Sequence, residues 1–363
     1  MKHSCQKVLI FLTTITLYKK EGRLIKGSRL KKEEELLVQV LNTIKKYNLI
    51  ENGDRIVLGV SGGPDSICLL SILNKIKNDS SIKLDFDIFV AHVNHMIRKE
   101  AKSDEEFVRE FCNNIGVEFF LKSIDIQKIA NNNKIGTEEA GRIERYKFFD
   151  EILYKTNSNK IAIAHNKNDK VETIIMNVLR GSGISGLKGI QALNGIYIRP
   201  LIESERYKIE QYCQINNINP RIDKTNYENI YTRNKTRNVV IPYIQKEYNP
   251  NIIETIDRLS QLVVEEEEYF NKVIEEKYKE LKLEESEKQI VLNLKLFNKQ
   301  EKVIKSRLLI YTISRLLGNS NGIEKIHIED IIKLCANNIG NKYLTPNKNI
   351  KILIKTNKIY FIS

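Results

Sequence analysis

The sequence is poor in cysteine and never pairs it closely: Cys5, Cys68, Cys112, Cys213 and Cys335 stand far apart. That spacing excludes the zinc and iron–sulfur frameworks that need neighbouring thiolates. It outlines no disulfide scaffold either, so a reducing cytoplasm is the expected compartment. Cys68 and Cys112 fall in apolar helical patterns and are expected in the core. Long hydrophobic runs are also lacking. The segment Val8–Leu17, preceded by Lys2 and Lys7, resembles a weak signal peptide. It is far short of the roughly 20 residues a bilayer core requires. Tyr18-Lys19-Lys20-Glu21 stands where a small-residue cleavage site would follow. No membrane association is expected, and residues 1–30 are read as an extension outside the main domain. Met1 is the only methionine before Met96, which leaves room for a misassigned start. Internal repeats and long low-complexity linkers are absent.

The chain has 363 residues, of which 41% are hydrophobic and 29% charged. It is therefore a globular chain long enough for two or three domains. Its net charge of +13 favours polyanionic partners, nucleic acid first. A general bias towards Lys, Asn and Ile would give the same charge with no such partner.

Glu33–Tyr47 carries Leu36, Leu37, Val40, Leu41 and Ile44 on one helical stripe. Beyond the Asn52-Gly53-Asp54 turn, strands are expected at Arg55–Val60, Phe86–Asn94, Val117–Lys122 and Lys160–Ala164. Helices are expected at Asp65–Lys77, Asp104–Gly116, Glu138–Tyr154 and Asp169–Arg180. Short apolar strands alternating with helices indicate an α/β fold, a parallel sheet covered on both faces. Ligands of such sheets bind beyond the carboxyl ends of the strands. After Pro242 the pattern changes to helices at Ile252–Leu283, Lys299–Leu317 and Ile326–Asn337. Two strands, Ile350–Lys355 and Lys358–Ile362, follow, with a turn at Thr356-Asn357. Residues 31–247 are thus read as one α/β domain. Residues 248–363 are read as a mainly helical domain ending in a small β-hairpin.

The first strand runs into Gly59-Val60-Ser61-Gly62-Gly63-Pro64-Asp65-Ser66. Adjacent glycines let the backbone turn sharply and approach a ligand. Consecutive amides and the following helix N-terminus can then hold an anion. The string is neither the Walker pattern nor the dinucleotide fingerprint. It matches the Ser-Gly-Gly-x-Asp-Ser loop of the PP-loop ATP pyrophosphatases.

Further segments resemble one branch of that superfamily, the tRNA(Ile)-lysidine synthetases. They are Ala91-His92-Val93-Asn94-His95, Gly141-Arg142-Ile143-Glu144-Arg145-Tyr146, and His165 through Asp169 to Glu172-Thr173. Arg180-Gly181-Ser182-Gly183 through Gly189, Arg199-Pro200-Leu201 and Arg233-Asn234 through Arg237-Asn238 to Pro242 complete the set. Gly141 departs from the family's alanine. The likeness holds over about residues 31–245 and loosens afterwards. The resemblance implies that the wobble cytidine of an isoleucine tRNA with a CAU anticodon is adenylated by ATP. L-lysine then displaces AMP, giving lysidine and changing the codon read from AUG to AUA. Thiolating relatives depend on reactive cysteines in Cys-x-x-Cys pairs, which this chain lacks. Glutamine-dependent relatives carry an amidotransferase domain that is not evident here.

By that resemblance ATP contacts fall to Ser61, Gly62, Gly63, Pro64, Asp65, Ser66 and His92, with Mg²⁺ as cofactor. Asp65 is the candidate metal ligand, a hard carboxylate for a hard cation; charge pairing at its helix N-terminus is the alternative. Arg145 is assigned to the α-phosphate, against the alternative of a surface ion pair. Asp169 and Glu172 are three residues apart on one helix and share a face. With His165 they form the group for binding and deprotonating the lysine amine, the base among them being left open. The competing reading is an N-cap Asp169 with a solvated Glu172. Arg237 is assigned to the activated cytidine or the lysine. Arg221, Lys224, Arg233 and Lys235, interleaved with Tyr227 and Tyr231, are the candidate RNA path. Relatives imply a homodimer. The C-terminal domain that grips the acceptor stem in some relatives is not expected here.

Overall fold

The computed structural model describes residues 29–96, 101–221, 232–337 and 342–363. Lys224, Tyr227 and Tyr231 of the expected RNA path lie outside the described residues, as do Cys5 and most of the 1–30 extension. The chain divides into two compact units, the first ending at Gln261 and the second being Leu262–Ser363.

The first unit opens with α1 (Arg29–Lys46), then β1 (Asp54–Gly59), α2 (Pro64–Asn78), β2 (Phe86–Asn94), α3 (Ala101–Ile115) and β3 (Glu118–Ser123). It continues through α4 (Ile126–Asn133), α5 (Thr137–Lys155), β4 (Lys160–Ala162) and α6 (Lys167–Leu179). A short hairpin, β5 (Leu193–Asn194) and β6 (Tyr197–Ile198), and α7 (Arg206–Ile215) follow. The six-stranded sheet has the order β3-β2-β1-β4-β6-β5. All its pairings are parallel except the β5–β6 hairpin.

Both faces of the central strand are dry. Ile56 and Leu58 pack against α1, α2 and α7, whereas Val57 packs against Phe148, Phe149 and Ile152 of α5. All three strand residues are wholly buried. Each contributes roughly 1.5–3 kcal/mol to holding the sheet between its helical layers. Continuous apolar strands therefore read correctly as a doubly covered sheet. The order reverses between β1 and β4, because β1 is followed in space by β2 on one side and β4 on the other. That reversal opens a crevice at the carboxyl ends of these two strands.

The helical run after Thr232 consists of α8 (Thr232–Lys235), a π turn (Thr236–Val240) and α9 (Ile241–Glu247). Next comes α10 (Ile252–Leu281), and the division between units falls within it rather than near residue 247. The reason is packing on α6. Ile241 and Ile253 bury against Val171 and Ile175. Lys170 Nζ pairs with Asp257 Oδ1 at 2.8 Å, and Lys167 Nζ with Glu254 Oε1 at 2.6 Å. A sequence scan cannot see that the first turns of a long charged helix belong to the preceding core.

The second unit contains the rest of α10, α11 (Leu294–Asn298), α12 (Lys302–Leu317) and α13 (Lys325–Asn337). These pack on a five-stranded antiparallel sheet, β7-β8-β11-β10-β9. The expected hairpin is β10 (Ile350–Lys355) with β11 (Lys358–Ile362), joined through Thr356 and Asn357 at positive φ. It sits inside that larger sheet with β7 (Lys282–Glu285), β8 (Gln289–Asn293) and β9 (Tyr343–Asn347). Among the described residues no helix is long and apolar enough to cross a membrane.

Candidate active site

The loop after β1 turns through Gly62 at φ +87°, a conformation that a side chain strains. Gly63 caps α2 without any side-chain bond, and Pro64 occupies the first turn. At the start of α2 the N–H groups of Asp65 and Ser66 are thus left without a capping side chain, as an anion site requires. The loop is braced from within. The Ser61 amide donates to Ser66 Oγ at 3.2 Å, and Ser66 Oγ donates to the Gly63 carbonyl at 3.0 Å. Ser61 Oγ lies 3.2 Å from Ser66 Oγ. Beneath the loop, Gly59 abuts the Phe149 ring so closely that a Cβ there would collide with it.

His92 lies under this loop, buried, with Nδ1 at 2.8 Å from the Val60 carbonyl. A carbonyl only accepts, so Nδ1 carries the proton. Burial lowers the His92 pKa, keeping the ring neutral. The structure thus shows it as a brace behind the phosphate turn. Arg221 approaches the same turn from outside. Its amide donates to the Gly62 carbonyl at 3.0 Å, while its guanidinium reaches Ser103 Oγ at 3.0 Å.

Across the crevice, α6 begins after β4. Asn166, not Asp169, is its N-cap, and the two form a reciprocal capping box. Asn166 Nδ2 also donates to Asp65 Oδ1 at 2.8 Å, tying the two helix starts together. Burial and then the negative charge of Asp169 push the Asp65 pKa up to about 6. A site that raises a carboxylate in this way favours a cation beside it.

Asp169 and Glu172 are buried and share three arginines. Arg237 grips Glu172 with Nε to Oε1 at 2.6 Å and Nη2 to Oε2 at 2.8 Å, and Nη2 also reaches Asp169 Oδ1 at 2.9 Å. Arg233 bridges Glu172 Oε2 at 3.1 Å and Asp169 Oδ1 at 3.2 Å. Arg206, at the start of α7, reaches Asp169 at 3.2 Å and Glu172 at 3.5 Å. Burial alone would raise the Asp169 pKa, but Arg233 and Arg206 hold it below its ordinary value. The reading of a solvated Glu172 is overturned, since its side chain is 1% exposed.

His165 accepts a hydrogen bond at Nδ1 from Arg199 Nε at 3.1 Å, so its proton is on Nε2. Burial, together with Arg199, Arg233 and Arg145, drives its pKa down to about 4 despite Asp169. It is a neutral ring at physiological pH, with the lone pair of Nδ1 engaged by Arg199 and Nε2–H left as a donor. Arg145 lies on the open side of α5, 3.4 Å from His95 Nε2. Lys235 is exposed on α8. Arg221 and Arg233 therefore serve different walls, one at the phosphate turn and one at the carboxylates.

Sequence reasoning assigned no role to Arg206, Asn166 or Arg199. Arg206 carried no local signal, because only the fold brings α7 to α6. Asn166 and Arg199 stood in recognised segments, but their partners are nonlocal. The described cysteines are buried, and burial pushes the Cys112 and Cys335 thiols up to about 12. Such thiols are poor sulfur carriers.

An open helix start after β1 facing buried carboxylates after β4, at a strand-order reversal, defines a nucleotide-binding α/β domain. The PP-loop domain family matches residues 32–244. A tRNA(Ile)-lysidine synthase of Clostridioides difficile (strain 630) is 45% identical over 323 residues, covering 88% of this chain and 69% of that protein. One from Clostridium acetobutylicum is 45% identical over 314 residues, 86% of this chain and 67% of that protein. The chain belongs to the tRNA(Ile)-lysidine synthase family. It spans about two thirds of the length of these relatives. A U34-tRNA thiolase from Methanococcus maripaludis superposes with a TM-score of 0.54 at 17% identity, over 65% of this chain and 80% of that one. That likeness concerns the fold alone.

Proposed function

We propose that the protein ligates L-lysine to C2 of the wobble cytidine of an isoleucine tRNA bearing CAU, consuming ATP in the cytoplasm. The supporting observation is the 2.8 Å bond from Asn166 to Asp65, which brings the open start of α2 beside the Asp169–Glu172 pair. The N–H and hydroxyl donors of the Ser61–Ser66 loop hold the departing pyrophosphate while the cytosine C2 oxygen attacks the α-phosphorus, with Arg145 balancing charge there. The lysine amine then adds to C2 and AMP leaves. The ammonium docks at Asp169 and Glu172, and its proton passes into this group, His165 taking part only once Arg199 releases Nδ1.

A hard carboxylate fits a hard divalent ion: Asp65, its pKa raised by burial and by Asp169, would hold Mg²⁺ together with phosphate oxygens. When bound, the ion neutralises charge building on the pyrophosphate. The first unit, through Gln261, is the catalytic domain in this reading, the following helices and sheet contact RNA, and a homodimer is the working assembly. Arg221, Lys224 and Lys235 meet RNA phosphates.

The test is incubation with ATP, labelled lysine and total tRNA, followed by nucleoside analysis. Labelled lysidine with stoichiometric AMP release is expected. AMP release that ignores lysine, or label confined to free nucleotides, would remove the proposal.

A further inference from the structure

Beside the carboxylate pair lies a polar recess of about 390 Å³ between the start of α5, one side of α6, and α8. Its lining includes Arg142, Arg180 and Arg233 against a single carboxylate, Glu138, with Thr173 and Asn177 as neutral polar groups. No residue of the Ser61–Ser66 loop contributes to it. Arg142 and Arg180 are exposed. Three guanidiniums around a recess of this size suit a phosphodiester, which they can hold through paired N–H donors.

Arg233 belongs to both the recess and the buried carboxylates. Of the three arginines on Asp169 and Glu172 it is the most exposed, at 33% against 24% for Arg237 and 20% for Arg206. Its hydrogen bonds, at 3.1 and 3.2 Å, are longer than Arg237's, at 2.6 to 2.9 Å; Arg206's reach 3.2 and 3.5 Å, but of the three only Arg233 lines the recess. Asp169 Oδ1 receives three N–H donors, more than its two lone pairs accommodate. Three guanidiniums on Asp169 and Glu172 already outnumber the pair by one positive charge, Asp65 being the next carboxylate towards α2. A lysine ammonium arriving there would increase that excess.

Granting the ligase reading, we infer that this recess seats a backbone phosphate of the RNA substrate, and that the phosphate draws Arg233 off Asp169 and Glu172. Departure of Arg233 leaves both carboxylates paired to Arg237 and Arg206. It also vacates a charge-assisted position for the lysine ammonium. RNA binding thereby raises lysine affinity, and by linkage lysine raises RNA affinity by the same factor.

The test uses the full chain and the variant R142Q/R180Q, whose two sites are exposed and outside the catalytic group. Binding of a CAU anticodon hairpin is measured across a salt series. Lysine affinity is then measured alone, with saturating hairpin, and with inorganic phosphate. In the native protein the hairpin should tighten lysine at least ~5-fold, within the usual range of coupling between sites. The variant should bind the hairpin about 10-fold more weakly, with a salt slope shallower by about 0.7 for each phosphate it no longer neutralises. Its coupling should fall to unity while ATP affinity stays at the native value. Unchanged hairpin affinity and salt slope, or equal lysine affinity with and without hairpin, would overturn the inference. Equal enhancement by inorganic phosphate would overturn the assignment to RNA. Failure of the ligase reading shows separately, as native protein that incorporates no lysine into tRNA.

Discussion

Glu172→Gln is the sharpest probe of the carboxylate–arginine cluster. The carboxylate accepts from Arg237 and Arg206 at Oε1 and from Arg233 and Arg237 at Oε2, with its side chain 1% exposed. Glutamine keeps one of those oxygens but turns an NH₂ donor towards guanidinium donors. Three cations are then left on Asp169 alone. Breaking a buried pair from one side costs about 3–5 kcal/mol. For a unit of this size that corresponds to a fall in Tm of about 6–20 °C. Differential scanning calorimetry with circular dichroism reads it directly. A Tm within about 2 °C of native would refute the claim that the cluster is buried and held by its ion pairs.

Asp87→Asn removes a surface carboxylate that pairs with Arg55 at 2.9 Å and Lys77 at 2.8 Å, and should cost less than about 1 kcal/mol in denaturant titration. Gly62→Ala forces a side chain into φ +87° with its Cβ 3.3 Å from Val108, so ATP affinity measured by titration should fall while the sheet remains folded. His165 takes up a proton near pH 6.5 when unfolded but only near pH 4 when folded. The unfolded state therefore binds more protons between those values, and stability is lost as pH falls through that window. His165→Gln should flatten the decline by up to about 3 kcal/mol, and parallel pH profiles for variant and native protein would contradict it. Asp169→Asn should abolish lysidine formation while ATP binding persists.

The parallel sheet was legible because its strands are short, apolar and interrupted by helical periodicity. Phe86–Asn94 was placed with its observed bounds, and the other three principal strands within two residues at either end. The phosphate turn was legible because Gly62 and Gly63 meet a conformational demand that few residues satisfy. Asp169 and Glu172 sharing a face followed from helical spacing. Their imprisonment by Arg206, Arg233 and Arg237 did not, because those residues lie 34 to 68 positions away along the chain. The same limit hid strands β7, β8 and β9 of the second unit. Each is only four or five residues long, and pairing partners, not local pattern, make them strands. The early turns of α10 looked like part of the later helices until Asp257 was found beneath Lys170.

The most direct measurement is an experimental structure with a non-hydrolysable ATP analogue and lysine. The account predicts β- and γ-phosphate oxygens within hydrogen-bonding reach of the N–H and hydroxyl donors of the Ser61–Ser66 loop, and the lysine ammonium against Asp169 and Glu172. A triphosphate seated elsewhere, with that turn closed against protein, would contradict it.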